Sequence, residues 1–192
     1  MIASKEGIIP HFVRSSFTHD ILERKGSMKE LKVFFDYECP YCKRGHEFLL
    51  AALQTHSDLS VSWHPCEAHP RPEEHPPHTD LCIQGYYFVR EQGGDLMAYH
   101  QRLYDAVHTD KIDVEDPAVL ADYVKDLVDP AAYLAALKAG TYKAVQEEGN
   151  RFAYEENQVW FLPAFRMDGK KLDAAGGVGV TKAQLEAFLK DA

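Results

Sequence analysis

Apolar and polar positions change period from segment to segment along this chain, and the changes outline its elements. Residues 31–36 (LKVFFD) are mostly apolar, rich in strand formers and end on an acid, which predicts a buried strand. In the following stretch Phe48, Leu49, Ala52 and Leu53 recur at helical spacing. Pro40 stands where the first turn of a helix has no N–H to lose, so Cys39 falls at the end of a strand-to-helix turn. Residues 59–64 (LSVSWH) alternate as a half-buried strand should. Strand, helix, strand predicts a right-handed βαβ unit with its two strands parallel.

Residues 64–78 then hold five of the ten prolines and four of the ten histidines, the composition of a loop. Beyond it the pattern is helical, over 79–92, 95–108, 117–127, 130–139 and 142–157. Asp116-Pro117 and Asp129-Pro130 read as N-cap plus first-turn pairs, and Gly140 as a C-cap. Strand patterning returns at 159–167 (VWFLPAFRM), followed by the hairpin signal Asp168-Gly169 and a partner strand over 171–175. Thr181 and Gln184 make a capping box for a last helix with Leu185, Phe188 and Leu189 on its apolar face. No internal repeat interrupts the plan of strand–helix–strand, helical block, strand–turn–strand–helix.

Composition narrows the class. The 192 residues are 45% hydrophobic and 27% charged, enough for a core without disulfide staples, and four cysteines are too few for a disulfide scaffold. A formal net charge of −9 excludes nonspecific binding to nucleic acid or anionic membrane, and no apolar run approaches a membrane span. Residues 1–27 lack a secretory pattern, because Ile8 and Ile9 run straight into Pro10 and His11; Glu6, Asp20 and Glu23 count against a transit peptide. They read as a loosely attached leader, or as sequence upstream of a start at Met28. The expected compartment is the cytoplasm, where paired cysteines call for a redox or metal explanation.

Cys39-Pro40-Tyr41-Cys42 supplies the redox one. A thiolate is the nucleophile of disulfide exchange, and the unpaired N–H groups and partial positive charge of a helix N-terminus stabilise it. Cys39 is then the exposed attacker and Cys42, one turn inward, the resolver of the mixed disulfide. Pro40 and Tyr41 set the stiffness of the small ring. Zinc would need a second pair of ligands, and Cys66 and Cys82 do not form another C-x-x-C. Glu38 would raise the Cys39 pKa, and Lys43 and Arg44 would lower it; side-chain directions decide between them.

VFFDYECPYCKRG resembles the active-site strand and turn of the DsbA-like branch of the thioredoxin superfamily, and within it the FrnE-like or 2-hydroxychromene-2-carboxylate-isomerase-like members. The resemblance spans about residues 30–192. It implies an α/β thioredoxin fold, a central mixed sheet flanked by helices, with an inserted all-helical domain. Residues 1–29 are then the leader, 30–64 and 159–192 the thioredoxin-like domain, and 65–158 the insertion. It also implies a cis proline facing the cysteines, a place that Leu162-Pro163-Ala164-Phe165 fills. Pro163 would remove a backbone donor near Cys39, and Leu162 would offer main-chain groups to a peptide added as a strand. The implied activity is thiol–disulfide exchange with protein or low-molecular-weight thiols, glutathione among them, without a cofactor and with no metal ligand. One family feature is missing: Val33 stands where many relatives keep a buried acid.

Two other readings compete. Kappa-class glutathione transferases and isomerases share the fold, but typically carry Ser at the first cysteine. A metal- or partner-binding protein would use His64, Cys66, His69, His75, His78 and Cys82, whose spacings match no zinc module. Cys66 and Cys82 would otherwise form a second disulfide, or be a loop cysteine and a buried helical one. The aromatic residues of the helical block are expected mostly in the core, with some lining a groove over the cysteines.

Overall fold

The structure, a computed structural model, describes residues 28–190. The leader expected over residues 1–29 lies outside them except for Met28, which is exposed, and Lys29, which already belongs to the first strand. That strand, β1 (Lys29–Phe35), buries Leu31, Val33, Phe34 and Phe35, as its apolar run requires. It pairs in parallel with β2 (Leu59–Pro65) from Lys29↔Leu59 to Phe35↔Pro65. Between them α1 (Pro40–Leu53) turns Cys42, Gly45, His46 and Leu49 inward, one stripe at helical spacing. Phe48, Ala52 and Leu53, expected on that face, lie half-buried at its border.

The four-stranded mixed sheet has the order β2-β1-β3-β4, with β3 (Ala164–Met167) antiparallel to both β1 and β4 (Lys170–Asp173). Asp168 and Gly169 join the last two strands with φ values of 49° and 76°, the paired left-handed residues of a tight hairpin. The strand expected over 159–167 is shortened to its second half. Pro163 has no N–H to give a ladder, the Leu162–Pro163 peptide is cis, and the chain before it leaves the sheet. Arg166, buried in β3, holds that departing segment: its guanidinium donates to the carbonyls of Asn157 (3.0 Å) and Gln158 (3.1 Å) and to Asp173 (2.9 Å).

Between β2 and β3 lie α2 (Asp80–Glu91), α3 (Leu96–Asp105), α4 (Pro117–Tyr123), α5 (Pro130–Ala139) and α6 (Lys143–Arg151). Asp116 and Asp129 cap α4 and α5 as expected, and Gly140 closes α5 with φ 62°. Three expected helices are altered. The ends of those over 95–108 and 142–157 widen into π turns at Ala106–Asp110 and Phe152–Glu156. The 117–127 helix stops at Tyr123, whose carbonyl accepts from Arg102 at 2.8 Å. The block is not a separate body. Phe35 of β1 meets Tyr86 of α2 and His100 of α3 edge-on, and Tyr86 donates to the Trp63 carbonyl of β2 at 3.1 Å. Sheet and insertion share one core. The chain closes on α7 (Lys182–Lys190), which buries Leu185 and Leu189; Thr181 and Gln184 form its capping box. Among the described residues no helix is long and apolar enough to cross a membrane.

Candidate active site

Cys39 is the N-cap of α1, with extended backbone (φ −80°, ψ 114°) and Pro40 in the first turn. Its half-buried thiol points at the Leu162 carbonyl across a 3.7 Å contact. The Cys42 thiol holds Cys39 below the ordinary thiol range, with the N–H groups of Cys42 and Tyr41 assisting; burial and the Asp36 charge oppose them. Cys42 is fully buried one turn inward, and that burial pushes its thiol well above the ordinary range. One sulfur is thus poised to attack, and the other to keep its proton until a neighbouring sulfur becomes electrophilic.

The turn carrying Cys39 is clamped by the helical insertion. The Tyr37 hydroxyl and His100 Nδ1 hydrogen-bond at 2.9 Å, His108 Nε2 donates to the Tyr37 carbonyl at 2.9 Å, and Lys43 pairs with Asp105 at 2.9 Å. The question left by Glu38, Lys43 and Arg44 is answered by these directions. Lys43 is committed to Asp105, and Arg44 donates to the Val178 carbonyl and lies over the Tyr41 ring. The Glu38 carboxyl is 8% exposed; burial and the charges of Asp36, Cys39, Glu67 and Glu73 push its pKa up to about 8.

Behind Cys42 the interior is packed with aromatic and imidazole rings. His46, the next turn of α1, packs against Trp63, His100 and Tyr104. Burial lowers its pKa to about 4 and takes that of His100 well below the ordinary histidine value. Neither Nε2 has a hydrogen-bond partner among the described residues. Pro163 packs on α1 from the other side, so closely that a Cβ on Gly45 would stand 2.9 Å from its Cγ.

A groove of about 280 Å³ runs over Cys39. Pro40 and Tyr41 form its floor, Phe161 and Leu162 one wall, Ala68, His69 and His75 another, and residues 175–177 its end. The Tyr41 hydroxyl donates to the Gly177 carbonyl at 2.7 Å. The structure therefore gathers Cys39, Pro40, Tyr41 and Leu162 around one opening, with Cys42 and Pro163 beneath it. The aromatic lining comes from Tyr41 of α1 and from Phe161, which is 48% exposed in the segment before Pro163, and not from the helical block. Tyr86, Tyr99, Tyr104 and Tyr133 of that block are buried: Tyr86 packs on Phe35 of β1, Tyr99 and Tyr104 on Tyr37, and Tyr133 on Phe88 and Tyr99 inside the insertion.

The histidine- and cysteine-rich segment comes apart. Cys66 and Cys82 are buried free thiols, not a second disulfide, and burial raises both. His64 stacks on Phe34, while His78 reaches the His69 carbonyl. Asp36 was an unassigned acid in the sequence. It is completely buried and accepts hydrogen bonds from the Thr79 hydroxyl, the Ala68 N–H (2.6 Å) and the Glu38 N–H (3.2 Å). Its position at the end of an apolar strand is a signal that buries it; Thr79 and Ala68 come from the loop's far ends and have none.

Comparison with known proteins agrees with this geometry. A family model described as the DSBA-like thioredoxin domain matches residues 30–191. An uncharacterized Bacillus subtilis (strain 168) protein, YwbO, is 24% identical over 186 residues, covering 78% of this chain and 92% of that protein. Among solved structures, the oxidoreductase DsbA from Xylella fastidiosa superposes with a TM-score of 0.65 at 17% identity, covering 86% of this chain and 87% of its own. Oxidised BdbD from Bacillus subtilis gives 0.64 at 15% identity, covering 88% and 89%. With a strand–turn–helix that presents Cys39, a mixed sheet and a helical insertion matched over that span, the chain belongs to the DsbA-like thioredoxin domain family.

Proposed function

We propose that the protein exchanges disulfides with protein or low-molecular-weight thiols through Cys39 and Cys42. The observation that carries this reading is the asymmetry of the two sulfurs. Cys39 is accessible at a helix N-terminus, and Cys42 is sealed one turn below it. The Cys39 thiolate attacks one sulfur of a substrate disulfide. A mixed disulfide forms and the other substrate sulfur leaves as a thiolate. Cys42 then loses its proton and attacks the Cys39 sulfur, which releases the second substrate thiol and leaves a Cys39–Cys42 disulfide. Two electrons have passed from the dithiol to the substrate, and the reverse sequence oxidises a substrate dithiol. In the reducing direction, two molecules of glutathione or a similar small thiol return the Cys39–Cys42 disulfide to the dithiol and leave joined as their own disulfide.

Leu162 and Pro163 support the substrate rather than the electrons. Leu162 lies across the groove from Cys39, and exposed Trp160 and Phe161 continue its apolar wall, which suits an extended peptide segment. Insulin reduction and the refolding of a scrambled disulfide protein test the reading. Wild type is expected to be active and Cys39→Ser to lose more than about 10³-fold in rate. Equal rates in the two proteins would overturn it. The Cys39–Cys42 potential gives the direction: a value below about −250 mV marks a reductant, and one near about −120 mV an oxidant.

A further inference from the structure

We propose that Glu38, His69 and His75 form a binding site for one divalent cation of the zinc class in the wall of the groove. Glu38 comes from the end of β1 and the two histidines from the proline-rich loop, so the site exists only in the folded chain. Its ligand atoms converge: His69 Nε2 is 3.6 Å and His75 Nδ1 3.8 Å from the same Glu38 oxygen, and all three atoms lie within 4.8 Å of one another. Metal–ligand bonds of about 2.0–2.1 Å in a tetrahedron put neighbouring ligand atoms about 3.3 Å apart. The two histidine–carboxylate distances are a few tenths of an ångström wider. The two imidazoles are stacked, 3.9 Å apart at 19°, and His75, 59% exposed, has room to turn out of the stack so that both lone pairs meet.

Three further observations favour a cation. His69 Nδ1 lies 3.0 Å from the Glu73 carboxylate. A carboxylate there fixes the tautomer that leaves Nε2 as the free donor facing Glu38, the usual second layer of a histidine–metal site. The loop is held at both ends by Asp36, through Ala68 and Thr79, and His78 pins the His69 carbonyl at 3.3 Å, so the backbone that carries His69 is anchored. Finally, the charges that bear on Glu38 are themselves negative, namely Asp36, Cys39, Glu67 and Glu73, and a dication compensates those of the carboxylates. Two imidazoles with one carboxylate select zinc-like ions over magnesium or calcium. Three protein ligands leave a fourth position for water, on the side of the groove that Cys39 shares.

The site does not depend on the dithiol chemistry, and its test removes that chemistry. The full chain, tag-free and carrying Cys39→Ser with Cys42→Ser, is titrated with Zn²⁺ against a chromogenic chelator. One equivalent is expected to bind with a Kd of about 1 μM or tighter. His69→Ala, His75→Ala and Glu38→Gln are each expected to weaken it at least about 10-fold. His75 is exposed enough that its variant keeps the fold, so that variant decides if another unfolds. Binding of less than about a tenth of an equivalent, or an affinity unchanged in His75→Ala, overturns the proposal.

Discussion

Cys39 with Cys42, and Cys66 with Cys82, make a comparison built into one molecule. All four sulfurs feel the buried Asp36 charge, which works against each thiolate. Only Cys39 is held below the ordinary thiol range. It alone caps a helix, receives the N–H groups of Tyr41 and Cys42, and opens to the groove. Cys66 follows β2 and Cys82 lies inside α2; both are fully buried, and burial raises them. The same element in the same protein therefore has its thiol lowered or raised according to the thiol and backbone donors it receives and its burial, not according to its charged neighbour.

Alkylation gives the largest expected contrast. Cys39 should react with iodoacetamide at neutral pH more than about 10³-fold faster than Cys66 or Cys82, whose exposure requires the protein to open. Mass spectrometry of timed samples reads this directly, and comparable rates at all four sites would break the comparison.

The next contrast concerns the ring-packed region behind Cys42. A His46 pKa near 4 means that the folded protein resists the proton which the unfolded chain accepts near 6.5. This depressed base costs stability as pH falls from about 6.5 to 4. The stability of wild type relative to His46→Gln should decline over that window by about 3 kcal/mol, a shift of about 2.5 units at 1.36 kcal/mol each. Denaturant unfolding at both pH values measures it; a difference that does not vary with pH would show His46 to be solvated.

Asp36 sharpens the comparison from the other side. Asp36→Asn removes the charge common to the four thiols but also replaces acceptor oxygens that serve Thr79, Ala68 and Glu38. A loss of about 2 kcal/mol is expected, because at least one buried donor goes unpaired. The alkylation rate of Cys39 at a pH below its pKa should rise at the same time, which a purely structural residue would not cause. The smallest effect is expected at Gly179. Its φ of 77° favours glycine, and a Cβ would stand 2.8 Å from the Tyr41 Cβ. Gly179→Ala should cost about 1 kcal/mol and disturb the groove at Tyr41 while leaving Cys66 and Cys82 protected. Thermal unfolding and the same alkylation assay check both halves of that statement.

Legibility followed the range of the interactions. The strand at 31–36, the helix opened by Pro40, the Asp-Pro caps, the Asp168-Gly169 hairpin and the Thr181 capping box were all readable, because each is decided by neighbours a few residues apart. The strand expected at 159–167 was overextended because an apolar run does not reveal where hydrogen bonding starts; that depends on Pro163 meeting α1 at Gly45. The π turns that end α3 and α6 leave no periodic trace, since they alter one turn of the backbone.

By itself the sequence determined the order of elements, the C-x-x-C spacing that places Cys39 at a helix N-terminus with Cys42 one turn on, and, through the resemblance of VFFDYECPYCKRG, the family. Those follow from local spacing: a strand, a turn and the first residues of a helix. Only the tertiary structure decided that Asp36 is sealed beneath four thiols, that Cys66 and Cys82 stay apart from the groove, and that Glu38 meets His69 and His75. These depend on segments thirty or more residues apart being brought together by the sheet and by a core shared with the insertion. Burial, which raises Cys42, Cys66, Cys82 and Glu38 and lowers His46 and His100, belongs to the packed protein and to no stretch of its sequence.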